Sequence, residues 1–134
     1  MERTGFLERL IAGVSYLTYG GAGAIWFIIM HLMKKNISMF MYYHVMQSVF
    51  IFLGLLIVEL LLGMIMEILN IIPFVNVVAR QIYYYLNTPL YMNYSAIQIG
   101  IYTLQVYLAI TALMGLYSFI PKVSNIISEL IGRR

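Results

Sequence analysis

Long apolar segments dominate the hydrophobic pattern of this chain. The most uniform covers residues 49–66, which include one charged side chain, Glu59. A helix of that length rises about 27 Å at roughly 1.5 Å per residue, close to the thickness of a bilayer core. Two uncharged segments, residues 10–33 and 94–120, are longer still. The pattern predicts an all-α fold, a polytopic membrane helix bundle with three transmembrane helices at about residues 10–33, 44–69 and 94–120.

The segment at residues 71–92 has a different period. Pro73 and Pro89 lie near its two ends, and Arg80 near its middle would cost about 2.5–3.5 kcal/mol at the centre of a spanning helix. Apolar side chains recur every three or four positions, while polar and tyrosine side chains occupy the other face. This pattern predicts an interfacial amphipathic helix at about residues 74–87. A four-span bundle is the alternative.

The composition agrees with a membrane protein. Hydrophobic residues make up 63% of the chain and charged residues 10%. Soluble domains have about 45–50% and about 25%, respectively. The length of 134 residues predicts a single membrane domain over residues 1–134, with an amphipathic tail at 122–134. The absence of cysteine excludes disulfides and thiolate metal sites.

Basic side chains cluster in the predicted loops and tail, where they are expected to contact lipid headgroups. These residues are Lys34, Lys35, Lys122, Arg133 and Arg134. They form no basic face, so the lipid bilayer and not nucleic acid is the expected partner. The positive-inside rule places the C-terminus on the cytoplasmic side of a bacterial or organelle inner membrane. The N-terminus lies outside with three spans and in the cytoplasm with four.

Polar side chains within the predicted spans are candidates for function, because such groups are costly in lipid. They are Glu59, Gln105, Gln98 and Ser48. Glu59 and Gln105 lie at similar depth in their spans, which predicts a hydrogen bond between them. Three interpretations stay open: these groups hold the bundle together, line a path for protons, ions or peptide, or contact a partner subunit.

Small residues in the first predicted span favour close helix packing. Gly13, Gly20 and Ala24 are the candidates, since small side chains let helix backbones approach each other in lipid. A bend near Gly20 is the alternative. The sequence has no nucleophile elbow, no phosphate-binding glycine loop and no metal-ligand spacing. We therefore predict a non-enzymatic protein with no catalytic residue, metal or cofactor.

Three collinear segments resemble a known family. Residues 40–48, FMYYHVMQS, resemble the "F-x-x-M-Q-A" or "F-x-H-x-x-Q-A" start of a membrane helix in the chloroplast Tic-twenty import family and its short bacterial relatives. Residues 8–17 are similar to that group's "R-L-x-x-x-x-x-Y-L" opening, and residues 118–124 resemble its "P-x-I-P-x-x-(S/A)" ending. The motif positions in the helix start are His44, Met46, Gln47 and Ser48.

The resemblance implies an integral membrane subunit of a protein-translocation complex, with other membrane subunits or further copies of itself as partners. It also implies four spans for the chloroplast family, whereas one predicted span separates the opening and Met-Gln motifs here. Two rival functions stay open. One is a small oligomeric transporter or proton-coupled channel that uses Glu59, and the other is a structural accessory subunit of a larger membrane complex.

Overall fold

The computed structural model describes residues 5–132, which form six helices and one short β-hairpin. In chain order these are α1 (Phe6–Leu17), α2 (Gly21–Leu32), α3 (Met39–Ile71), α4 (Val75–Asn87), β1 (Pro89–Tyr91), β2 (Tyr94–Ser95), α5 (Ala96–Leu113) and α6 (Val123–Gly132). The mostly helical fold agrees with the predicted all-α class.

The first predicted span, residues 10–33, is divided into α1 and α2. The α1 helix ends in a Schellman motif, in which the Tyr19 and Gly20 amides donate to the carbonyls of Tyr16 and Ser15. Tyr19 has a φ of 53° and Gly20 a φ of 88°, so the chain turns here and does not continue as a helix. Each of the two helices has 12 residues. Residues 10–33 therefore form two helices and not one continuous helix, and the alternative of a bend near Gly20 is confirmed.

The second predicted span is one uninterrupted helix. The α3 helix has 33 residues, which contain no proline and whose glycines are isolated. Its buried residues all lie between Phe40 and Ser48. From Phe52 onward most side chains are exposed although they are apolar. The helix thus combines a packed N-terminal part with a long bare apolar surface.

The amphipathic segment forms the α4 helix, close to the predicted bounds of 74–87. It begins after Phe74, which has a positive φ, and ends before the β1–β2 hairpin. Met92 and Asn93 connect the two strands, and both have positive φ, as the central residues of a type I′ turn do. The interfacial position of α4 stays a prediction.

The last predicted span ends earlier than expected. The α5 helix stops at Leu113, whereas the sequence pattern extended the span to residue 120. Gly115 has a φ of 75°, and the amides of Gly115 and Leu116 donate to the carbonyls of Ala112 and Thr111. This is a second Schellman motif, and it ends the helix before Pro121 does.

Two helices are long and apolar enough to cross a membrane, namely Met39–Ile71 and Ala96–Leu113. The α2 helix is apolar but has only 12 residues, roughly 18 Å, too short to span the core. The length and hydropathy of α3 and α5 are those of membrane-spanning helices. The predicted three-span bundle is not confirmed among the described residues, because the segment proposed for the first span forms two short helices.

The chain forms two compact units. The terminal unit comprises the residues up to Leu53 and those from Gln105 onward, and the middle unit comprises Gly54–Leu104. The hydrophobic core belongs to the terminal unit, where side chains of α1, α3 and α5 meet. Its buried members are Ala12, Tyr16, Phe40, Met41, Val45, Leu108, Ala109 and Ala112.

Candidate functional site

A buried polar network centres on Gln47 in the terminal unit. The Gln47 side chain has no solvent-exposed surface. Its Nε2 donates to the Ser118 carbonyl at 3.1 Å, and its Oε1 accepts from the Tyr16 hydroxyl at 2.6 Å and the Ser118 hydroxyl at 2.9 Å. One amide therefore connects α1, α3 and the segment that follows α5, and both of its polar atoms have partners.

His44 extends this network and fixes the direction of its hydrogen bonds. The Tyr16 hydroxyl lies 2.8 Å from Nδ1 of His44. The single Tyr16 proton goes to Gln47 Oε1, because that oxygen can only accept. Within this arrangement Nδ1 of His44 donates to the Tyr16 oxygen. The fully buried ring is packed among Phe40, Tyr43 and Tyr117, with centroid distances of 4.4, 5.4 and 5.8 Å.

Tyr43 connects α3 to α6. Its hydroxyl lies 2.7 Å from the Ser118 carbonyl and 2.8 Å from Ser124 Oγ. Ser124 Oγ also accepts a hydrogen bond from the Ile120 amide at 2.8 Å. Ile127, one turn further along α6, is fully buried. The predicted amphipathic tail therefore includes a helix that packs through Ser124 and Ile127.

The network has no exposed reactive group and no pair of carboxylates. Its polar groups are one imidazole, one amide and four hydroxyls, and they bond chiefly to one another, although Nε2 of His44 has no partner among the described residues. A set of this kind fixes the register of helices, since an apolar core tolerates polar groups only when they are paired. The network therefore holds α1, α3 and the segment after α5 in one defined register.

The structure corrects the expected environment of the helix-start motif. Polar side chains at the start of a spanning helix usually face lipid headgroups, but Tyr43, His44 and Gln47 are all buried within the protein. The reason is that α1 and α6 contribute hydrogen-bond partners at this end of α3. Met46 is half-buried, and Ser48 is buried and donates to the Val45 carbonyl at 2.8 Å.

The other intramembrane candidates lie in different environments. Gln105 is buried on α5, whereas Glu59 is exposed on α3. Gln98 is exposed and forms a capping box with Ser95: Gln98 Oε1 accepts from the Ser95 amide, and Ser95 Oγ accepts from the Gln98 amide. The role of Gln98 is therefore helix capping. The hydrogen bond between Glu59 and Gln105 stays a prediction.

Glycines of the first two helices make close contacts. A Cβ at Gly13 would lie 3.0 Å from Leu113 Cγ, and one at Gly20 would lie 2.6 Å from Val49 Cγ2. Ala24 is exposed, so its packing role stays a prediction. The neighbouring Gly23 makes a close contact, because a Cβ there would lie 2.5 Å from Val45 Cγ2. The close contact lies at Gly23 because the turn at Gly20 interrupts the helix, so α2 presents a different face from the one that a continuous helix would present.

Lys34, Lys35 and Lys122 are exposed, as headgroup contacts require. Arg133 and Arg134 lie outside the described residues. Over residues 5–132, no three histidine or carboxylate side chains come together in a way that could hold a metal ion.

The sequence analysis did not select several residues of the site. Tyr16, Ser118 and Ser124 were quoted only within longer segments, and their meeting with Gln47 depends on the tertiary fold. The available signal was the collinear order of the three family-like segments. Each of these segments contributes at least one side chain to the network.

Comparisons with known proteins give no match. No family model matches the chain, and neither the curated proteins nor the solved structures include a significant match.

Proposed function

We propose that this chain is a non-enzymatic integral membrane subunit of a protein-translocation complex of the Tic-twenty type. The observation that carries the proposal is the meeting of the three family-like segments in one buried network. Tyr16 comes from the opening segment, Gln47 from the helix start and Ser118 from the ending segment. These residues are joined by hydrogen bonds of 2.6 and 2.9 Å.

The meeting adds weight to the resemblance because the segments are far apart in sequence. The Tyr16–Gln47 bond spans 31 positions and the Gln47–Ser118 bond spans 71. A chance likeness of short motifs would not require their polar residues to satisfy one another. A shared architecture would, since each buried polar group needs a partner.

The exposed part of α3 supports a role as a subunit. Side chains such as Phe52, Ile57 and Leu60 are exposed at 37%, 54% and 61%, although they are large and apolar. Such a surface requires lipid or another membrane protein around it. A subunit of a larger complex can use part of this surface for contact with its partners.

Charge favours a topology with two spans. A chain that crosses through α3 and α5 has the residues before α3 and after α5 on the same side of the membrane. Of the eight basic residues, only Arg80 lies between these helices. The positive-inside rule then places both termini in the cytoplasm. The sequence analysis also predicted a cytoplasmic C-terminus. Its three-span topology, in contrast, had the N-terminus outside.

Affinity purification in mild detergent with mass spectrometry tests the proposed function. The full chain should recover components of a protein-translocation machinery. Gln47→Leu should lose them, because it removes the amide that joins three segments. The matched control is Gln81→Leu on the exposed face of α4. Recovery of the chain alone, or equal recovery with both variants, would count against the proposal.

The oligomeric, proton-coupled channel is the second candidate, and the exposure of Glu59 favours it. A charged group at the centre of a spanning helix costs about 2.5–3.5 kcal/mol, so the Glu59 carboxyl needs a polar partner or water around it, which an oligomer can supply. Reconstitution in liposomes tests it: Glu59→Gln should abolish proton flux in a channel. Loss of a co-purifying partner without any flux in the parent protein would instead favour a structural accessory subunit.

A further inference from the structure

A pocket of about 420 Å³ lies on the polar face of α4 within the middle unit. It contains the basic residue of this unit, two tyrosines and the helix C-terminus. Its lining residues are Arg80, Tyr83, Tyr84, Asn87, Thr88 and Pro89. The pocket therefore combines a cation with several hydrogen-bond donors.

Asn70 orients the cation of this pocket. Nε of Arg80 donates to Asn70 Oδ1 at 2.9 Å, across the junction between α3 and α4. Arginine has five N–H donors in a planar fork, so the two terminal amino groups stay available. A guanidinium held by its Nε presents those amino groups together, which suits two oxygens of one phosphate.

Of the donors next to Arg80, two are used within α4 and two are open to a ligand. Asn87 Nδ2 and Thr88 Oγ1 donate to the Tyr83 and Tyr84 carbonyls at the end of α4. The hydroxyls of Tyr83 and Tyr84 have no hydrogen-bond partner among the residues that the structure describes. These two phenols can therefore donate to an anion beside the guanidinium.

No carboxylate neutralises this site. The middle unit has two acidic residues, Glu59 and Glu67, and within the described chain neither forms an ion pair with Arg80. The sequence has no further acidic residue from position 68 to position 128. The pocket consequently carries a net positive charge and lacks a carboxylate that would pair with a choline or ethanolamine ammonium.

The position of Asn70 along α3 gives the depth of the pocket in the bilayer, and this depth indicates which anions are nearby. Asn70 lies about 19 Å along the helix axis from the midpoint of residues 49–66, at 1.5 Å per residue. Half of a bilayer core measures about 15 Å. Arg80 is bonded to Asn70, so a spanning α3 places its guanidinium at the depth of the headgroup phosphates.

We propose that this pocket is a binding site for the phosphate of an anionic phospholipid such as phosphatidylglycerol. The Arg80 guanidinium and the two tyrosine hydroxyls hold the phosphate oxygens, and Asn70 keeps the guanidinium in place. The proposal needs only a membrane-spanning α3. It is independent of the translocation role, because a transporter with the same α4 would bind the same lipid.

Native mass spectrometry of the delipidated full chain, titrated with phosphatidylglycerol or phosphatidylcholine, tests the site. Arg80→Gln should weaken phosphatidylglycerol binding about tenfold, since charge-assisted bidentate bonds are lost. Arg80→Lys should give an intermediate loss, because it keeps the charge without the fork. Lys35→Gln removes an exposed charge from the α2–α3 loop that is expected to contact headgroups, so it measures general charge attraction, and its loss should be clearly smaller than the loss for Arg80→Gln.

Each outcome decides the assignment. Equal binding by the parent protein and Arg80→Gln would overturn it, as would equal losses in Arg80→Gln and Lys35→Gln, which would indicate unspecific charge attraction. Equal affinity for both lipids would remove the anionic preference and with it the proposal. A final titration uses inorganic phosphate alone. If millimolar phosphate displaces the lipid through Arg80, the pocket is a free-anion site and the lipid assignment is wrong.

Discussion

The Tyr16 hydroxyl donates to Gln47 Oε1 at 2.6 Å, and this bond joins the first helix to the longest one. The same hydroxyl accepts from His44 Nδ1 at 2.8 Å. Tyr16 is therefore the only link between two buried polar side chains of α3 and the α1 helix among the hydrogen bonds of the described residues. Removing this single oxygen affects both of them.

Tyr16→Phe should lower the free energy of unfolding by about 1–3 kcal/mol. The ring is retained, but His44 Nδ1–H loses its acceptor and Gln47 Oε1 keeps only the Ser118 hydroxyl. Thermal unfolding in detergent measures the change. Tyr102→Phe is the control, because that exposed tyrosine keeps its ring contact with Tyr94 and loses no hydrogen bond of the described residues. Equal melting temperatures for the two variants would contradict this account of the network.

Gly23→Leu should destabilise the terminal unit strongly, and Ala24→Leu should not. A Cβ at Gly23 would lie 2.5 Å from Val45 Cγ2 and 2.6 Å from Ser15 Oγ, whereas Ala24 is exposed. We expect a loss of about 1–3 kcal/mol or more for the first variant, since overpacking a tight contact costs that much. Melting temperatures in detergent compare them. If Ala24→Leu were the more destabilising variant, the result would support the continuous helix over residues 10–33 that was predicted from the sequence.

Single cysteines report the topology directly, because the chain contains no native cysteine. With two spans, cysteines at Asn36 and Asn125 should react with a membrane-impermeant maleimide from the cytoplasmic side. A cysteine at Asn87 should react from the other side. All three native side chains are exposed. Labelling of Asn36 and Asn125 from opposite sides would rule out the two-span topology.

Glu59→Leu should leave the stability of the isolated chain nearly unchanged, within about 0.5 kcal/mol. Its side chain is exposed on an apolar helix surface, so leucine matches the neighbouring residues. Assembly should respond differently if Glu59 contacts a partner. Size-exclusion chromatography with light scattering, beside Glu59→Gln, separates the two effects. A large loss of stability for Glu59→Leu would favour the buried pairing with Gln105 that the sequence analysis predicted.

The hydrophobic pattern predicted the elements that depend on local information. A long apolar run without proline was sufficient for α3, and the alternation of apolar and polar positions was sufficient for α4. Hydropathy also gave the start of α5 within two residues. These features depend on composition over a dozen or more neighbouring positions.

The pattern failed where backbone geometry overrides hydropathy. Residues 10–33 are apolar throughout, and an average over such a window does not register a left-handed Tyr19 followed by a left-handed Gly20. Gly115 ends α5 in the same way before the apolar sequence ends. Glycine supplies the positive φ that these turns need, so it was the available signal in both places.

The sequence identified some residues of the candidate site but did not predict that they are buried. His44 and Gln47 were selected as motif residues, yet polar side chains at the start of a spanning helix are usually exposed to headgroups. Their burial depends on Tyr16, Ser118 and Ser124, which come from elements distant in sequence. Sequence period shows which face of a helix is polar, but it does not identify the segment that covers that face.

The turn at Gly115 sets the length of α5 and with it the bilayer thickness that this helix can span. Because this turn ends α5 after 18 residues, the helix measures about 27 Å, slightly less than an average hydrocarbon core of about 30 Å. The 33-residue α3 helix, in contrast, can tilt or extend beyond any bilayer. Hydrophobic mismatch is therefore governed by the shorter helix, and a thin bilayer fits it best. Gly115 thus determines which bilayer thickness α5 fits. A substitution that let α5 continue toward Pro121 would shift the protein's preference to thicker membranes.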